Sequence, residues 1–422
     1  MSAGRLSGIY RALVFALVAL IGSSIAAAPV AASDWTGRVS LQGFGFLSPP
    51  VDPRQGRARF SVSFEPELHH EWAQGSSRLV FKGFARYDGQ DGERTHADVR
   101  ELYWQKAGRS WELTAGIAKV FWGVTEFRHL VDVLNQTDLV EDLDGEEKLG
   151  QPMVHFSASR SWGTLGFFAL PGFRERTFPG HRGRPRTTPR VDANQALYES
   201  SARAKHVDWA LRWSRTFGEW DVGIAHFWGT GREPVLRPHT ADFDGHEPIE
   251  HGGGPRQPNE TVLVPLYPLI HQTSLDLQLT RGAVLGKLEA LTRSELGRRF
   301  VAGTGGVEYT FTGVGESRLD LGVLAEYMYD GRPGRDAAPF QNDVFLGGRL
   351  EFNDVQSTEI LAGGAVDLES GAALVRLEAS RRIGSRWRVA AKAWAFLGIP
   401  ESDPLYSLRR DEFVQVEIAR YF

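Results

Sequence analysis

The 422-residue sequence has no cysteine and only three methionines, and beyond residue 33 it has no apolar run long enough to cross a membrane as a helix. Without cysteine there is no disulfide framework, no thiolate metal site and no residue to carry a lipid anchor. Nor is there a basic excess. Lys and Arg together number 48 against 52 Asp and Glu, so the electrostatic footprint of a nucleic-acid binder is missing. No G-x-S-x-G, H-E-x-x-H or P-loop motif occurs, and "GTGGVEY" (303–309) falls inside a predicted strand rather than between a strand and a helix. The sequence therefore gives no positioned nucleophile, and the expectation is a non-enzyme without a cofactor or metal.

What the chain has in quantity is aromatic residues and glycine: 25 Phe, 12 Trp, 10 Tyr and 47 Gly. Its first 33 residues read as a secretory signal. Arg5 and Arg11 precede the apolar run from Ala12 to Ile21, the small residues "AAAPVAAS" follow, and cleavage is expected after Ala32 or Ser33. No Pro/Ser-rich linker divides the remainder, so residues 34–422 are read as one architecture.

That remainder alternates with a period of two. In "RLDLGVLAEYMY", Leu319, Leu321, Val323, Ala325, Tyr327 and Tyr329 share one face, while Arg318, Asp320, Gly322 and Glu326 share the other. "ALVRLEAS" sets Val375 and Leu377 against Arg376 and Glu378, and "WRVAAKAWAFL" sets Trp387 and Val389 against Arg388 and Lys392. Period two scatters apolar residues around a helical wheel but gives an extended strand two distinct faces. Eighteen such segments run from near Trp35 to near Arg410, the tenth starting near Thr261, and sixteen is the alternative count. Short connections such as "AQGS", "TFGE" and "RIGS" alternate with long ones near 123–150, 171–203 and 231–260. An all-β chain with this layout reads as a single antiparallel transmembrane barrel with both termini in the periplasm.

The last residues, "DEFVQVEIARYF", carry a strand pattern to the end, with Val414, Val416, Ile418 and Phe422 at alternate places. This resembles the carboxy-terminal signature of Gram-negative outer-membrane barrels, although Arg420 stands where that signature has an apolar residue. The stretch "KVFWGVTEFRHLVDVLNQTDLVEDLDGEEKLGQPMV" is similar to a block of porin-like proteobacterial proteins. The resemblance implies an outer-membrane location, contact with lipid and lipopolysaccharide, and reading of Phe422, Ile418, Val416 and Val414 by the barrel-assembly machinery. It also implies passive passage of small hydrophilic solutes, and a homo-oligomer is compatible with it.

Three loops carry candidate chemistry. The first (123–150) holds Asp138, Glu141, Asp142 and Asp144 and joins strands five and six. If it folds inward it forms a cation-favouring constriction; if not, it is a solvated acidic surface loop. "HLVDVL" within it is read as a helical turn. The second loop, "FRERTFPGHRGRPRTTPR", offers arginines to anions, with a disordered basic loop as the favoured alternative. The third gathers His239, Asp242, Asp244, His246, Glu247 and His251 without a metal-ligand spacing. Asp208, Arg212, Arg376, Glu378, Arg388 and Lys392 are expected to face the lumen. The functional expectation is a porin-like channel of the outer membrane; the alternatives are a barrel enzyme acting on lipid or peptide and a closed structural or adhesive barrel.

Overall fold

The computed structural model describes residues 33–240, 261–332 and 338–422. Of the expected signal segment, only Ser33 is among them. The strands are β1 (Ser33–Phe46), β2 (Ala58–Trp72), β3 (Ser77–Asp88), β4 (His96–Ala107), β5 (Trp111–Ala118), β6 (Gln151–Arg160) and β7 (Gly163–Pro171). Then follow β8 (Leu197–Tyr198), β9 (Val207–Phe217), β10 (Trp220–Thr230), β11 (Val235–Thr240), β12 (Thr261–Tyr267), β13 (Leu269–Arg281) and β14 (Val284–Glu295). The last seven are β15 (Arg298–Phe311), β16 (Asp320–Asp330), β17 (Asn342–Glu351), β18 (Glu359–Asp367), β19 (Ala373–Ile383), β20 (Trp387–Leu397) and β21 (Phe413–Tyr421).

Eighteen of these form one sheet in which each strand pairs antiparallel with its neighbours, and β21 pairs back onto β1 from Arg38 opposite Tyr421 to Phe46 opposite Phe413. The sheet is closed, and no edge is left to pair with another chain. Strands β8, β11 and β12 make a separate three-stranded sheet within the connections. The tenth barrel strand therefore starts at Leu269 rather than near Thr261. Thr261–Tyr267 instead makes a hairpin with β11, and Pro268, which has no N–H to donate to a ladder, separates it from the wall.

The start of β1, the carboxyl end of β21 and the hairpin turns after β2, β4, β6, β9, β13 and β19 share one end of the barrel, the turn end. Two of these turns have glycine first, Gly218 at φ 60° and Gly282 at φ 59°, as a two-residue type II′ turn requires. The connections 47–57, 89–95, 119–150, 172–206, 231–268 and 398–412 all leave the other end, the loop end.

The outer face is apolar. Val375, Leu377, Val414, Val416 and Ile418 are all exposed on it, at about two-fifths of their surface each. Aromatic side chains ring it at both ends: Trp72, Trp111, Trp162, Trp220, Phe311 and Trp387 near the turns, and Phe60, Tyr87, Trp228 and Tyr329 near the loops. Phe422 lies at the turn end, its ring stacked 6.3 Å from Phe64, and its backbone exchanges two hydrogen bonds of 3.1 Å with Gly37. A closed sheet with an apolar band between two aromatic girdles satisfies every backbone group internally and presents to lipid what lipid tolerates. The chain is an outer-membrane β-barrel.

Leu377 lies midway along β19 on the outer face, so Leu377→Arg is expected to destabilise the folded barrel by about 2 to 4 kcal/mol, whereas Leu377→Met is near neutral. Denaturant unfolding in lipid vesicles measures this; equal stability of the two variants would mean that this face does not meet lipid.

Candidate functional site

The segment between β5 and β6, residues 119–150, lies in the lumen and contains no helix; "HLVDVL" is irregular rather than a helical turn. Its apolar residues dock on the inner wall. Trp122, Val131, Val133 and Leu134 pack with Met153, Phe168, Leu170, Ala210, Phe227 and Ile270 from β6, β7, β9, β10 and β13, and Leu130 packs with Leu291 and Phe300. On the opposite side Phe127 meets Phe345 of β17 at 4.8 Å between ring centroids.

Two wall carboxylates hold its backbone. Glu289 of β14 accepts hydrogen bonds from the amides of Val124 (2.7 Å), Thr125 (3.1 Å) and Val131 (3.1 Å), and Glu326 of β16 accepts from the amides of Glu126 (2.6 Å) and Phe127 (2.9 Å). These amides have no secondary-structure partner, so burying them requires such acceptors. Side chains complete the attachment: Arg128 pairs with Asp330 at 2.8 Å and Arg349 with Glu126 at 2.8 Å.

The four carboxylates singled out from the sequence all face basic groups of the wall. Asp138, fully buried, pairs with Arg100 at 2.6 Å and accepts a hydrogen bond from the Thr177 hydroxyl. Glu141 pairs with Arg86 at 2.8 Å and lies 3.9 Å from Arg94. Burial pushes the Glu141 carboxyl up, but Arg86 and Arg94 outweigh it and hold it below the usual carboxylate value. Asp142 and Asp144 share Lys392 of β20, at 2.6 and 2.9 Å. Burial and the neighbouring Asp144 charge push Asp142 up to about 6 against the pull of Lys392. All four carboxylates are thus paired with basic groups inside the barrel.

The segment divides the space inside the barrel. Toward the loop end is a cavity of about 940 Å³ bordered by Asp144 and Arg376, and toward the turn end are cavities of about 450 Å³, bordered by Asp142, Glu378, Arg388 and Lys392, and about 590 Å³, bordered by Arg212. Asp208 is fully buried and pairs with Arg232.

The second loop differs from the disordered basic loop favoured by its composition. Residues 172–206 cross the loop end, and Arg184 and Arg186 are spent on the rim. Arg184, 2% exposed, pairs with Asp411, donates to the Ser48 carbonyl at 2.9 Å and lies 4.3 Å over the Phe46 ring. Arg186 pairs with Asp52 at 2.6 Å, and the Gly180 amide donates to Asp91 at 3.1 Å. Proline and glycine here set the path of a chain fastened at many points, and do not leave it loose.

In the third loop, Asp242, Asp244, His246, Glu247 and His251 lie outside the described residues. Among the described residues no group of three or more His, Asp or Glu side chains is placed to hold a metal ion. His69 and His70 of β2 alternate: His69 hydrogen-bonds to Glu67 and His70 stacks on Trp72. Sequence reasoning did not single out Glu289 and Glu326 as anchors. Their inward position at period two was readable, but nothing local to β14 or β16 says which distant segment they reach.

No protein-family model matches the chain, and no curated protein matches it. Solved structures similar to it include Wzi, an outer membrane protein involved in group 1 capsule assembly in Escherichia coli and a carbohydrate-binding β-barrel. It shares 10% identity over 90% of this chain and 83% of that one, with a TM-score of 0.49. A porin variant from Rh. blastica matches at 10% identity over 93% of this chain and 100% of that one, with a TM-score of 0.44. A loop-deleted OmpT, an outer membrane protein of Vibrio cholerae, matches at 12% over 93% and 99%, with a TM-score of 0.40. The likeness carries nothing about solute or activity.

Proposed function

We propose that this outer-membrane barrel is a channel for small hydrophilic solutes, narrowed by residues 119–150, with its turn end in the periplasm. The observation that supports this reading is the room for water-sized solutes on both sides of a segment that is itself held across the lumen. At the narrowing, Asp138 and Glu141 are matched by arginines, whereas Asp142 and Asp144 share the single ammonium of Lys392. Two carboxylates on one ammonium make this spot locally negative, in a low-dielectric surrounding that strengthens its field, so the channel favours cations weakly.

Asp142 makes that preference depend on pH. Its charge is present above a pKa of about 6 and lost below it. In planar bilayers across a salt gradient, the expected result is a steady conductance whose cation preference falls as the pH is lowered through about 6, and a preference without that step in Asp142→Asn. A folded but silent barrel would reject the channel, and a wild-type reversal potential that is flat across this range would reject the role of Asp142.

A closed barrel that binds at its outer mouth is the second reading, favoured by the Arg184–Asp411 pair that fastens residues 172–206 over the loop end. The same recording separates the two.

A further inference from the structure

The 940 Å³ cavity at the loop end has two unlike walls. Seven arginines and Lys148 border the cavity as a whole against six carboxylates, and one wall is rich in guanidinium groups. On this wall Arg293 and Arg332 converge on a single oxygen of Glu233, Oε2, at 3.0 and 2.9 Å. Arg332 and Arg128 also share Asp330, each at 2.8 Å, and Arg176 stands beside them with its Nε donating to Gln136 at 3.2 Å. The other wall is apolar. Phe127, Phe340, Trp394, Phe396, Leu405 and Leu408 belong to or pack on one cluster inside the barrel. The walls meet at Arg128, whose Nη1 donates to the Phe340 carbonyl at 3.0 Å.

Glu233 holds an unusual place between them. The side chains of Arg293 and Arg332 are 8% and 11% exposed, while that of Glu233 is 40% exposed. A carboxylate on the short connection between β10 and β11 thus reaches from the open side onto guanidinium groups that belong to the wall. Burial works against its charge, but Arg332, Arg293, Arg128 and Arg176 hold the carboxyl well below the usual value. Guanidinium forks match carboxylates in geometry, and this fork is occupied by the chain's own carboxylate at the rim of an otherwise open cavity.

We infer that the cavity is a binding site for an organic acid with an apolar body: its carboxylate takes the place of Glu233 on Arg293 and Arg332, and its body lies against the Phe340 and Trp394 wall. Glu233 is the resident competitor for that place. The inference goes beyond the channel reading, because the site exists whether or not the lumen conducts, and its test is a binding measurement that needs no current.

The probe is phenylacetate, titrated by calorimetry into the purified full-length barrel in detergent, with acetate and the uncharged phenylacetamide as comparisons. Phenylacetate should bind more tightly than either. Glu233→Gln should tighten it about tenfold, and Arg332→Gln should weaken it about tenfold, each the size of one charge-assisted hydrogen bond. Both variants are read only as heat-modifiable, folded barrels. Phe340→Ala should weaken phenylacetate and leave acetate unchanged. Equal binding of phenylacetate and phenylacetamide would overturn the proposal, as would equal binding of phenylacetate and acetate, or affinity unchanged or lowered in Glu233→Gln.

Discussion

Replacing residues 124–147 with a short glycine linker is expected to raise single-channel conductance several-fold while the barrel stays folded. The sheet closes through backbone bonds between neighbouring strands, none of which uses this segment, so its removal takes nothing from the ladder. It does take away the layer between the three cavities: the side chains packed on β6, β7, β9, β10 and β13, the Phe127 contact on β17 and the carboxylates on Lys392. A lumen enclosed by eighteen strands is wide enough for an aqueous channel once nothing crosses it. The wall carboxylates Glu289 and Glu326, buried by the segment, then face water and need no partner. Recording of wild type and variant under one salt condition reads the effect. Equal conductance in two folded barrels would mean that the limit to flow lies elsewhere, with residues 172–206 over the loop end as the next place to look.

Arg184→Ala is expected to free that cover. Its guanidinium is buried between the Asp411 carboxylate, the Ser48 carbonyl and the Phe46 ring, and with Arg186 it joins residues 172–206 to both the β1–β2 and β20–β21 connections. Removing it takes the guanidinium from the buried Asp411 carboxylate and leaves it the Arg186 amide at 3.3 Å, a loss of up to about 3 to 5 kcal/mol for a broken buried pair. The loss falls on the attachment of the cover and not on the ladder. Amides of 172–206 should exchange hydrogen faster and trypsin should cut there, while the rest of the barrel keeps its protection. Because the cost arises from the abandoned charge, Arg184→Met combined with Asp411→Leu should recover much of it. Unchanged exchange in Arg184→Ala would show that the cover is held by Arg186, Asp91 and their partners alone.

The wall was legible because lipid and lumen impose opposite demands on alternate residues. Val323, Tyr327 and Tyr329 are exposed on the outer face, and Glu326 is buried on the inner one, as their spacing requires. The pattern fails where the inner face does not meet water. Trp394 and Phe396 share a face with Arg388 and Lys392, and Phe44 and Phe46 weaken the alternation of β1, because these side chains form an apolar cluster inside the barrel. The misplaced tenth strand has a related cause: β12 and β13 read as one alternating run, and only pairing tells which part is wall. That residues 119–150 turn inward was open in the sequence for a further reason. The acids of that segment were visible, but their partners Arg86, Arg100 and Lys392 are distant in the chain, and a charge run with unknown partners reads equally as solvated surface.

The anchoring of residues 124–131 by Glu289 and Glu326 divides the burden of conservation unequally between the two sides of one contact. Apart from the Thr125 hydroxyl, which also donates to Glu289 at 2.8 Å, the donors are main-chain N–H groups, which any residue but proline supplies, and the acceptors are two particular carboxylates. The side chain at 124 can drift without loosening these bonds, whereas a change at 289 or 326 removes them whatever the segment's sequence. Related barrels of this design are expected to diverge in what the segment displays and to agree in what holds it, so the wall glutamates are the better mark of kinship.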